Sequence, residues 1–216
     1  MTLFVTGTDT GVGKTHTAVR LLQALRAAGL AAAGFKPICC GDRADAEELR
    51  RASEEGLSLD DVNPIWLKAP LAPMPAAEIE GRKIEIDKVL HRYEQLRHRV
   101  DAVIVEGAGG WLVPIRTDYF VRDLAVALNA PVLVVALNRL GCLNHTLLTV
   151  HSVVHSGLSC VGVALNQLSR ESGLAETTNA EVLRRLLNVP LLTGLSVDRG
   201  ELPADWAAAL GIRPRL

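Results

Sequence analysis

The sequence predicts a three-layer α/β fold in which a mostly parallel sheet lies between layers of helices. Short apolar or β-branched runs alternate along the chain with longer helical stretches, a pattern typical of parallel strands joined by helices. The run Val132–Ala136 is apolar throughout, as expected of a strand that is buried on both faces. Since 216 residues correspond to about one domain, we expect a single domain over residues 1–216.

Six strands and six helices follow from this alternation in chain order. The predicted strands, each a short apolar run, are Leu3–Thr6, Ala32–Lys36, Ala102–Val105, Val132–Ala136, Val161–Leu165 and Leu191–Leu192. The predicted helices, which are the longer segments between them, are Lys14–Ala28, Ala44–Glu55, Ile86–Arg97, Val121–Leu128, Leu143–His155 and Ala180–Leu187. Four prolines lie between Asn63 and Pro75. They exclude a long helix there and predict an extended or looped segment.

Composition and charge exclude several classes of protein. Hydrophobic residues make up 49% of the chain and charged residues 22%, which excludes a disordered chain. The net charge of −1 gives no general attraction to nucleic acid or to anionic membranes.

The longest apolar run, Ala130–Leu137, is far shorter than the roughly 18 residues of a membrane span. The start of the chain has no basic segment typical of a signal peptide, and the four cysteines form no CxxC pair. We therefore expect a cytoplasmic protein that binds neither nucleic acid nor membrane.

The strongest local signal is a glycine-rich segment, Gly7–Thr15, which follows the first strand and opens the first helix. Backbone amides around its glycines and the N-terminus of the helix would hold phosphate oxygens. Lys14 would reach the outer phosphates, and the Thr15 hydroxyl would bind Mg²⁺. The spacing departs from the usual motif because Thr8 stands where the first glycine is expected, so a glycine-rich turn without a ligand is the alternative. The nucleotide contacts predicted in this segment are Gly11, Val12, Gly13, Lys14, Thr15 and His16.

A second lysine and two carboxylates follow at predicted strand ends or beside them. Lys36 ends the second strand and should face the same crevice as Lys14, although an exposed lysine at a strand end is the alternative. Glu106 follows the third predicted strand and precedes Gly107–Gly110, so it is placed like an acidic Mg²⁺ ligand of phosphoryl-transfer sites. Asp45 is either a second metal ligand or a helix N-terminal charge, and its spacing does not separate the two.

The histidines do not predict a metal site. His151 and His155 are four residues apart, the spacing at which two ligands share one helix face, but the sequence places no third ligand beside them. We therefore expect surface or core histidines.

A second class of function remains open: a regulatory or assembly ATPase on the same fold. Such ATPases, which position plasmids or division sites, carry an early loop lysine that acts across a dimer interface. Asp9 stands in its place here. Membrane-attached members end in a basic amphipathic helix, and residues 211–216 do not have this character. A third possibility, an amidating ligase, would need an appended glutaminase for which we expect no room.

Four segments in order resemble the dethiobiotin synthetase family within the P-loop NTPases. They are Val5–Thr15, Gly34–Pro37, Val105–Trp111 with Pro114, and Leu140–Thr149. The resemblance implies an ATP-dependent cyclo-ligase with Mg²⁺ as cofactor and ATP as co-substrate. It also implies 7,8-diaminopelargonic acid and CO₂ as substrates, a carbamate and a carbamic–phosphoric anhydride as intermediates, and a homodimer with the substrate site at the subunit interface.

The resemblance also implies roles for individual residues. Lys36, Lys14 and Thr10 would be catalytic, with Lys36 holding the carbamate, and Thr15, Asp45 and Glu106 would hold Mg²⁺. Further ATP contacts are assigned to Asp45, Glu106, Gly107, Ala108, Gly109, Asn166 (which reads adenine), Gln167, Ser196, Val197 and Asp198. Substrate contacts are assigned to Thr10, Lys36, Cys40, Gly109 and, from the partner subunit, Gly141, Cys142, Leu143 and Asn144.

Three departures from the family pattern bear on these roles. Gly11 replaces an acidic residue, Cys40 replaces a serine, and the usual proline near Ser196–Asp198 is missing. None of them removes a charge from the path of the phosphoryl group, so we expect activity, with nucleotide selectivity that is relaxed.

Overall fold

A six-stranded sheet with all strands parallel forms the centre of the fold. The computed structural model describes residues 1–167, 173–195 and 202–212. In chain order the elements are β1 (Thr2–Gly7), α1 (Lys14–Ala27), β2 (Ala32–Phe35), β3 (Ile38–Cys40), α2 (Ala44–Ala52), α3 (Leu59–Val62), β4 (Ile65–Leu67), α4 (Pro73–Ile79), α5 (Ile86–Arg97), β5 (Ala102–Gly110), β6 (Pro114–Arg116), β7 (Tyr119–Phe120), α6 (Val121–Ala127), β8 (Val132–Leu137), α7 (Cys142–His155), β9 (Cys160–Asn166), α8 (Leu174–Leu186), β10 (Leu191–Leu192) and α9 (Ala204–Ala209). The sheet order is β10-β9-β8-β1-β5-β2, and helices flank the sheet, which confirms the predicted fold class.

Burial explains why these segments form strands and helices. In β8 five of the six residues are buried, as the apolar run predicts. In α1 the buried residues recur every three or four positions and include Ala18, Leu21, Leu22 and Leu25, so one face of the helix packs on the sheet. A single hydrophobic core extends through these elements.

The order of the strands places a crevice in the middle of the sheet. Strands β1 and β5 lie side by side, but the chain leaves β1 toward β2 and leaves β5 toward β8. Connections that depart in opposite directions open a crevice at the carboxyl ends of the two strands, where ligands of such sheets bind.

Several elements differ from the prediction. Strand β5 continues to Gly110, so Glu106 lies inside it instead of following it. The proline-rich segment contains β4 and the start of α4, which begins at Pro73, a position that suits proline because its missing N–H would have no partner there. The prediction of no long helix holds, since α4 has 7 residues.

Seven elements have between 2 and 7 residues, too few for a periodic pattern to show. They are α3, β3, β4, α4, β6, β7 and α9.

The open edge of β2 is closed by groups from the segments that follow it. Strand β2 ends the sheet, and an uncovered edge would leave its backbone groups without partners. Four hydrogen bonds cover this edge: Glu54 N to Ala32 O (2.8 Å), Gly34 N to Ser53 Oγ (2.8 Å), Lys36 N to Val62 O (2.8 Å) and Asn63 Nδ2 to Lys36 O (2.8 Å). Two of them fix the backbone of Lys36.

Among the helices of the described ranges, none combines the length and the apolar character needed to cross a membrane.

Candidate active site

The glycine-rich loop between β1 and α1 has a conformation that depends on its glycines. Gly11 and Gly13 have φ values of 73° and 89°, in the left-handed region that favours glycine. A Cβ at Gly7 would lie 2.7 Å from Asp9 O and 3.0 Å from Lys14 Nζ, so any larger residue would push the loop open. Lys14 Nζ donates a hydrogen bond to Asp9 O at 3.0 Å. The loop therefore folds back closely, with the Lys14 ammonium held against its own backbone.

Lys36 lies between two carboxylates at the crevice. Its ammonium donates to Glu106 Oε1 at 2.6 Å and to Asp45 Oδ2 at 2.7 Å. The Thr15 hydroxyl donates to Glu106 Oε1 at 3.0 Å. Glu106 is completely buried, and its Oε2 atom has no hydrogen-bond partner among the described residues. The structure thus brings together the three residues predicted to hold Mg²⁺ and the second lysine.

Burial and charge shift the pKa values of these groups. Burial, together with the nearby positive charge of Lys36, lowers the pKa of Lys14 to about 8. Burial alone would also lower the pKa of Lys36, but the negative charges of Glu106 and Asp45 outweigh it and raise this pKa. The pKa of Asp45 is lowered, because the charge of Lys36 outweighs the effect of burial. Lys36 and Asp45 are therefore charged at neutral pH.

A cavity of about 420 Å³ opens beside Lys36. Predicted substrate contacts Thr10, Lys36, Cys40 and Gly109 all line it, together with residues that sequence reasoning missed: Ile38, Cys39, Pro70, Leu71, Ala72, Pro73 and Val113. Most of the missed residues come from the proline-rich segment. Its composition predicted a loop but did not indicate where the loop would pack.

One glycine and two cysteines line this cavity. At Gly109 φ is 62°, and a Cβ there would lie 2.8 Å from Val113 Cγ2, so the backbone approaches the cavity where no side chain fits. Burial raises the pKa of the Cys40 thiol to about 11, so the group that replaces the expected serine is a neutral thiol. Cys39 Sγ donates to Asp42 O at 3.2 Å.

Asn166 ends β9, and its side chain contacts the glycine-rich loop and the start of α1. Its Nδ2 donates to Val12 O at 2.9 Å, to Gly13 O at 3.2 Å and to Thr17 Oγ1 at 3.2 Å. Since the Thr17 hydroxyl itself donates to Gly13 O, it accepts from Asn166, which fixes the orientation of the amide. The Asn166 Oδ1 atom is buried without a partner. One strong acceptor of Asn166 is therefore left unused by the described residues.

The segment at the start of α7 does not line the cavity beside Lys36. Gly141 precedes the helix with a φ of 91°, Cys142 is buried, Leu143 is half-buried and Asn144 is exposed. Residues further along α7 line a separate groove of about 430 Å³, which also contains Thr10 and Trp111. Within one chain, the four substrate contacts predicted at residues 141–144 are thus apart from the others.

The remaining predicted contacts occupy different positions. Gly107 and Ala108 lie in β5 beside Glu106, and His16 lies in the first turn of α1. Gln167 Oε1 accepts a hydrogen bond from Asn138 Nδ2 at 3.0 Å. Ser196, Val197 and Asp198 are outside the described residues.

Sequence reasoning missed an ion pair that ties the loop to the segment before α7. Arg139 Nη2 lies 2.9 Å from Asp9 Oδ2, and the buried side chain of Asn179 donates to Arg139 O and to Asn138 Oδ1. Asp9 lies in the glycine-rich segment, but nothing in the sequence pairs it with Arg139, and β8 and α8 bring these residues together from distant parts of the chain.

No cluster of three or more histidine, cysteine, aspartate or glutamate side chains that could hold a metal occurs in the described part of the chain. The rings of His151 and His155 stack with centroids 6.3 Å apart, and His155 Nδ1 is 2.8 Å from His151 O.

The chain is similar to a family of known enzymes that share one name. A family described as an AAA domain matches residues 1–199. Relatives named ATP-dependent dethiobiotin synthetase BioD include that of Akkermansia muciniphila, which is 42% identical over 87% of this chain and 88% of its own length. That of Anaeromyxobacter dehalogenans is 47% identical over 85% and 84%, and that of Aromatoleum aromaticum is 41% identical over 96% and 95%. The chain belongs to the dethiobiotin synthetase family. It is an ATP-dependent ligase that forms a carbon–nitrogen bond in dethiobiotin synthesis, a step of biotin biosynthesis.

Solved structures of other proteins share the fold of this chain. The septum site-determining protein MinD of Pyrococcus horikoshii, complexed with Mg-ADP, has a TM-score of 0.53 and 16% identity over 99% of this chain and 87% of its own. McdA of Cyanothece, complexed with ATP, has a TM-score of 0.58 and 15% identity over 100% and 98%. At such low identity these structures show the P-loop NTPase fold alone and do not favour the regulatory ATPase.

Proposed function

We propose that residues 1–216 form a single ligase domain that converts 7,8-diaminopelargonic acid, CO₂ and ATP into dethiobiotin, ADP and phosphate. The observation that carries this proposal is the buried ammonium of Lys36, which lies at the junction of the glycine-rich loop and the cavity of about 420 Å³. A cation at that junction meets the requirements of a reaction in which a carbamate and the γ-phosphate must react with each other.

The proposed chemistry has three steps. One amine of the substrate attacks CO₂ and loses a proton, which gives a carbamate. A carbamate oxygen then attacks the γ-phosphorus, ADP leaves, and a carbamic–phosphoric anhydride forms. The second amine attacks the carbonyl carbon, phosphate leaves with the bonding electrons, and loss of the amine proton completes the ureido ring.

The residues of the site would act by charge and position. Lys14, from the loop, would bind the β- and γ-phosphates, and Lys36 would hold the carbamate oxygen in line with the γ-phosphorus. Negative charge builds up at this point in every step, so two ammonium groups stabilise the transition states more than the separated substrates. Thr10 and Gly109, on the cavity wall, would orient the diamine, and the neutral Cys40 thiol would contact it without adding charge.

The chain also offers ligands for Mg²⁺. Hydroxyl and carboxylate oxygens are the ligands that Mg²⁺ prefers, and the Glu106 Oε2 atom, buried without a partner, fits a bound cation. Thr15, Asp45 and Glu106 would hold the ion. When bound, it would neutralise charge on the phosphates.

Asn166 supports the choice of adenine nucleotide. Its unpartnered Oδ1 atom can accept a hydrogen bond from an exocyclic amino group, which adenine carries and guanine lacks at the corresponding edge position. We propose that Asn166 and Gln167 contact the base, and that residues 141–144 contact the substrate from the partner subunit of a homodimer.

The test is dethiobiotin formation by the purified protein with MgATP and bicarbonate, with and without 7,8-diaminopelargonic acid. We expect ADP release that depends on the diamine and yields dethiobiotin. In Lys36→Ala we expect kcat/KM for the diamine to fall by about a hundredfold or more. Lys88→Ala, which removes an exposed lysine, is the matched control and should retain activity. ATP hydrolysis that is indifferent to the diamine would refute the ligase and favour a regulatory ATPase.

A further inference from the structure

Lys36 occupies the position between two carboxylates that a divalent cation would bridge. Its ammonium is within 2.7 Å of oxygen atoms of both Glu106 and Asp45. The Thr15 hydroxyl, the remaining predicted metal ligand, donates to the same Glu106 oxygen that accepts from Lys36. Both carboxylates therefore hold the ammonium group, and the Thr15 hydroxyl shares the Glu106 oxygen with it.

The burial of Glu106 makes a counter-charge necessary. Its side chain is only 1% exposed, and a buried carboxylate without a positive partner is strongly destabilising. In the described structure Lys36, itself only 5% exposed, supplies that charge. The hydrogen bond of Lys14 Nζ is to Asp9 O, whereas the ion pair of Glu106 is with Lys36.

We propose that Lys36 is the internal counter-ion of the metal site in the free protein and that the divalent cation arriving with the nucleotide displaces it. This inference rests on the proposed function, because it assumes that Thr15, Asp45 and Glu106 hold the ion. A divalent cation and an ammonium held between the same two carboxylates repel each other strongly at such short range, so the ammonium leaves when the metal binds. The cavity of about 420 Å³, which Lys36 already lines, is where the released ammonium becomes available to an anionic substrate group.

The exchange imposes an order on binding. Until the metal arrives, the two protein carboxylates neutralise the charge of Lys36, and the site attracts a carbamate only weakly. Once the metal has bound, an unpaired ammonium next to the cavity favours the carbamate. The metal nucleotide therefore prepares the site for the substrate, and the same lysine serves first as a structural cation and then as a substrate-binding one.

The decisive experiment measures cation binding by the protein without nucleotide. Mn²⁺, detected by electron paramagnetic resonance, is titrated into the wild type, Lys36→Met, Lys88→Met and the double variant Lys36→Met with Glu106→Gln. Lys88→Met removes the same charge from an exposed helix position and controls for net charge. We expect Lys36→Met to bind Mn²⁺ roughly tenfold or more tightly than the wild type, which corresponds to about 1.4 kcal/mol. Lys88→Met should resemble the wild type, and Glu106→Gln in the double variant should remove the gain.

Thermal unfolding gives a second readout on the same variants. Without its counter-ion, Lys36→Met should unfold at a lower temperature, and Mg²⁺ alone should restore much of the loss. The wild type and Lys88→Met should show little response to Mg²⁺. Equal Mn²⁺ affinity in Lys36→Met and the wild type, or equal responses to Mg²⁺, would overturn the proposal.

A measurement on the wild type covers the case in which Lys36→Met does not fold. Reductive methylation of Lys36, followed by mass spectrometry with Lys88 as internal reference, should become faster when MgADP is added. An unchanged or slower rate would contradict displacement. None of these measurements requires turnover, so a wild type that forms no dethiobiotin would refute the proposed function and leave the cation results to be judged separately.

Discussion

Lys14 and Lys36 are buried in the same site, but their surroundings move their pKa values in opposite directions. Lys36 has two carboxylates in contact with it, whereas the ammonium of Lys14 is bonded to a backbone carbonyl. Burial therefore dominates at Lys14, whose pKa is lowered to about 8. In the free protein Lys36 therefore stays charged well above neutral pH, whereas Lys14 loses its proton near pH 8.

This difference predicts that the protein takes up a proton when it binds ATP at a pH above about 8. Below pH 8 Lys14 is already protonated, so ATP binding changes its protonation little. Above pH 8 the free protein has lost this proton, and the phosphates restore it on binding, so the ATP affinity falls with rising pH. Calorimetry in buffers of different ionisation enthalpy measures the uptake. Lys14→Arg should show none, since arginine remains charged, and equal uptake in both proteins would assign the proton to another group.

At the scale of the element, the edge strand β2 shows how the position of Lys36 is secured. The buried Ser53 Oγ accepts from Gly34 N in the middle of β2 and donates to Leu49 O in α2. One hydroxyl thus joins the strand edge to the helix that carries Asp45. The backbone of Lys36 is fixed by two further bonds to the segment after α2.

Ser53→Ala is expected to destabilise the fold because it leaves the Gly34 N–H buried without a partner. The expected loss in free energy of unfolding is about 1–3 kcal/mol, measured by urea denaturation. Ser156→Ala is the matched control, because the Ser156 hydroxyl also donates to the carbonyl four residues before it. Its expected loss is small, since no strand amide depends on it. Similar losses in both variants would show that the bond to Gly34 contributes nothing.

At the scale of the whole molecule, an apolar groove beside the glycine-rich loop is left uncovered. Leu112 and Leu148, which line it, are 53% and 62% exposed, and the groove lies next to the segment 141–144 that the cavity beside Lys36 does not reach. A second copy of the chain seated on this groove would cover the leucines and bring residues 141–144 to its partner's site, as the proposed homodimer requires.

Leu148→Asp is therefore expected to produce monomers that lack activity, because a carboxylate in a buried interface has no partner there. Light scattering should give the dimer mass for the wild type and half that mass for the variant. Leu186→Asp, at a leucine that is 55% exposed on α8, should remain dimeric and active. An active Leu148→Asp monomer would exclude a shared site.

The sequence by itself determined the parallel α/β fold, the six central strands, the glycine-rich loop and the charged residues of the site. These features are local: apolar runs identify buried strands, and the order of strand, glycines, lysine and threonine identifies a phosphate loop. Family resemblance then selected Asp45, which spacing alone had left undecided between a ligand and a helix charge.

Only the tertiary structure decided which groups meet. Lys36 and Glu106 are 70 residues apart and Asp9 and Arg139 are 130 apart, and no local pattern records such pairs. The same holds for the proline-rich segment, which packs over the cavity although its composition predicted only a loop. Contacts of this kind depend on strand order and on how each loop crosses the sheet edge. These are set by the packing of the whole core and not by any single segment.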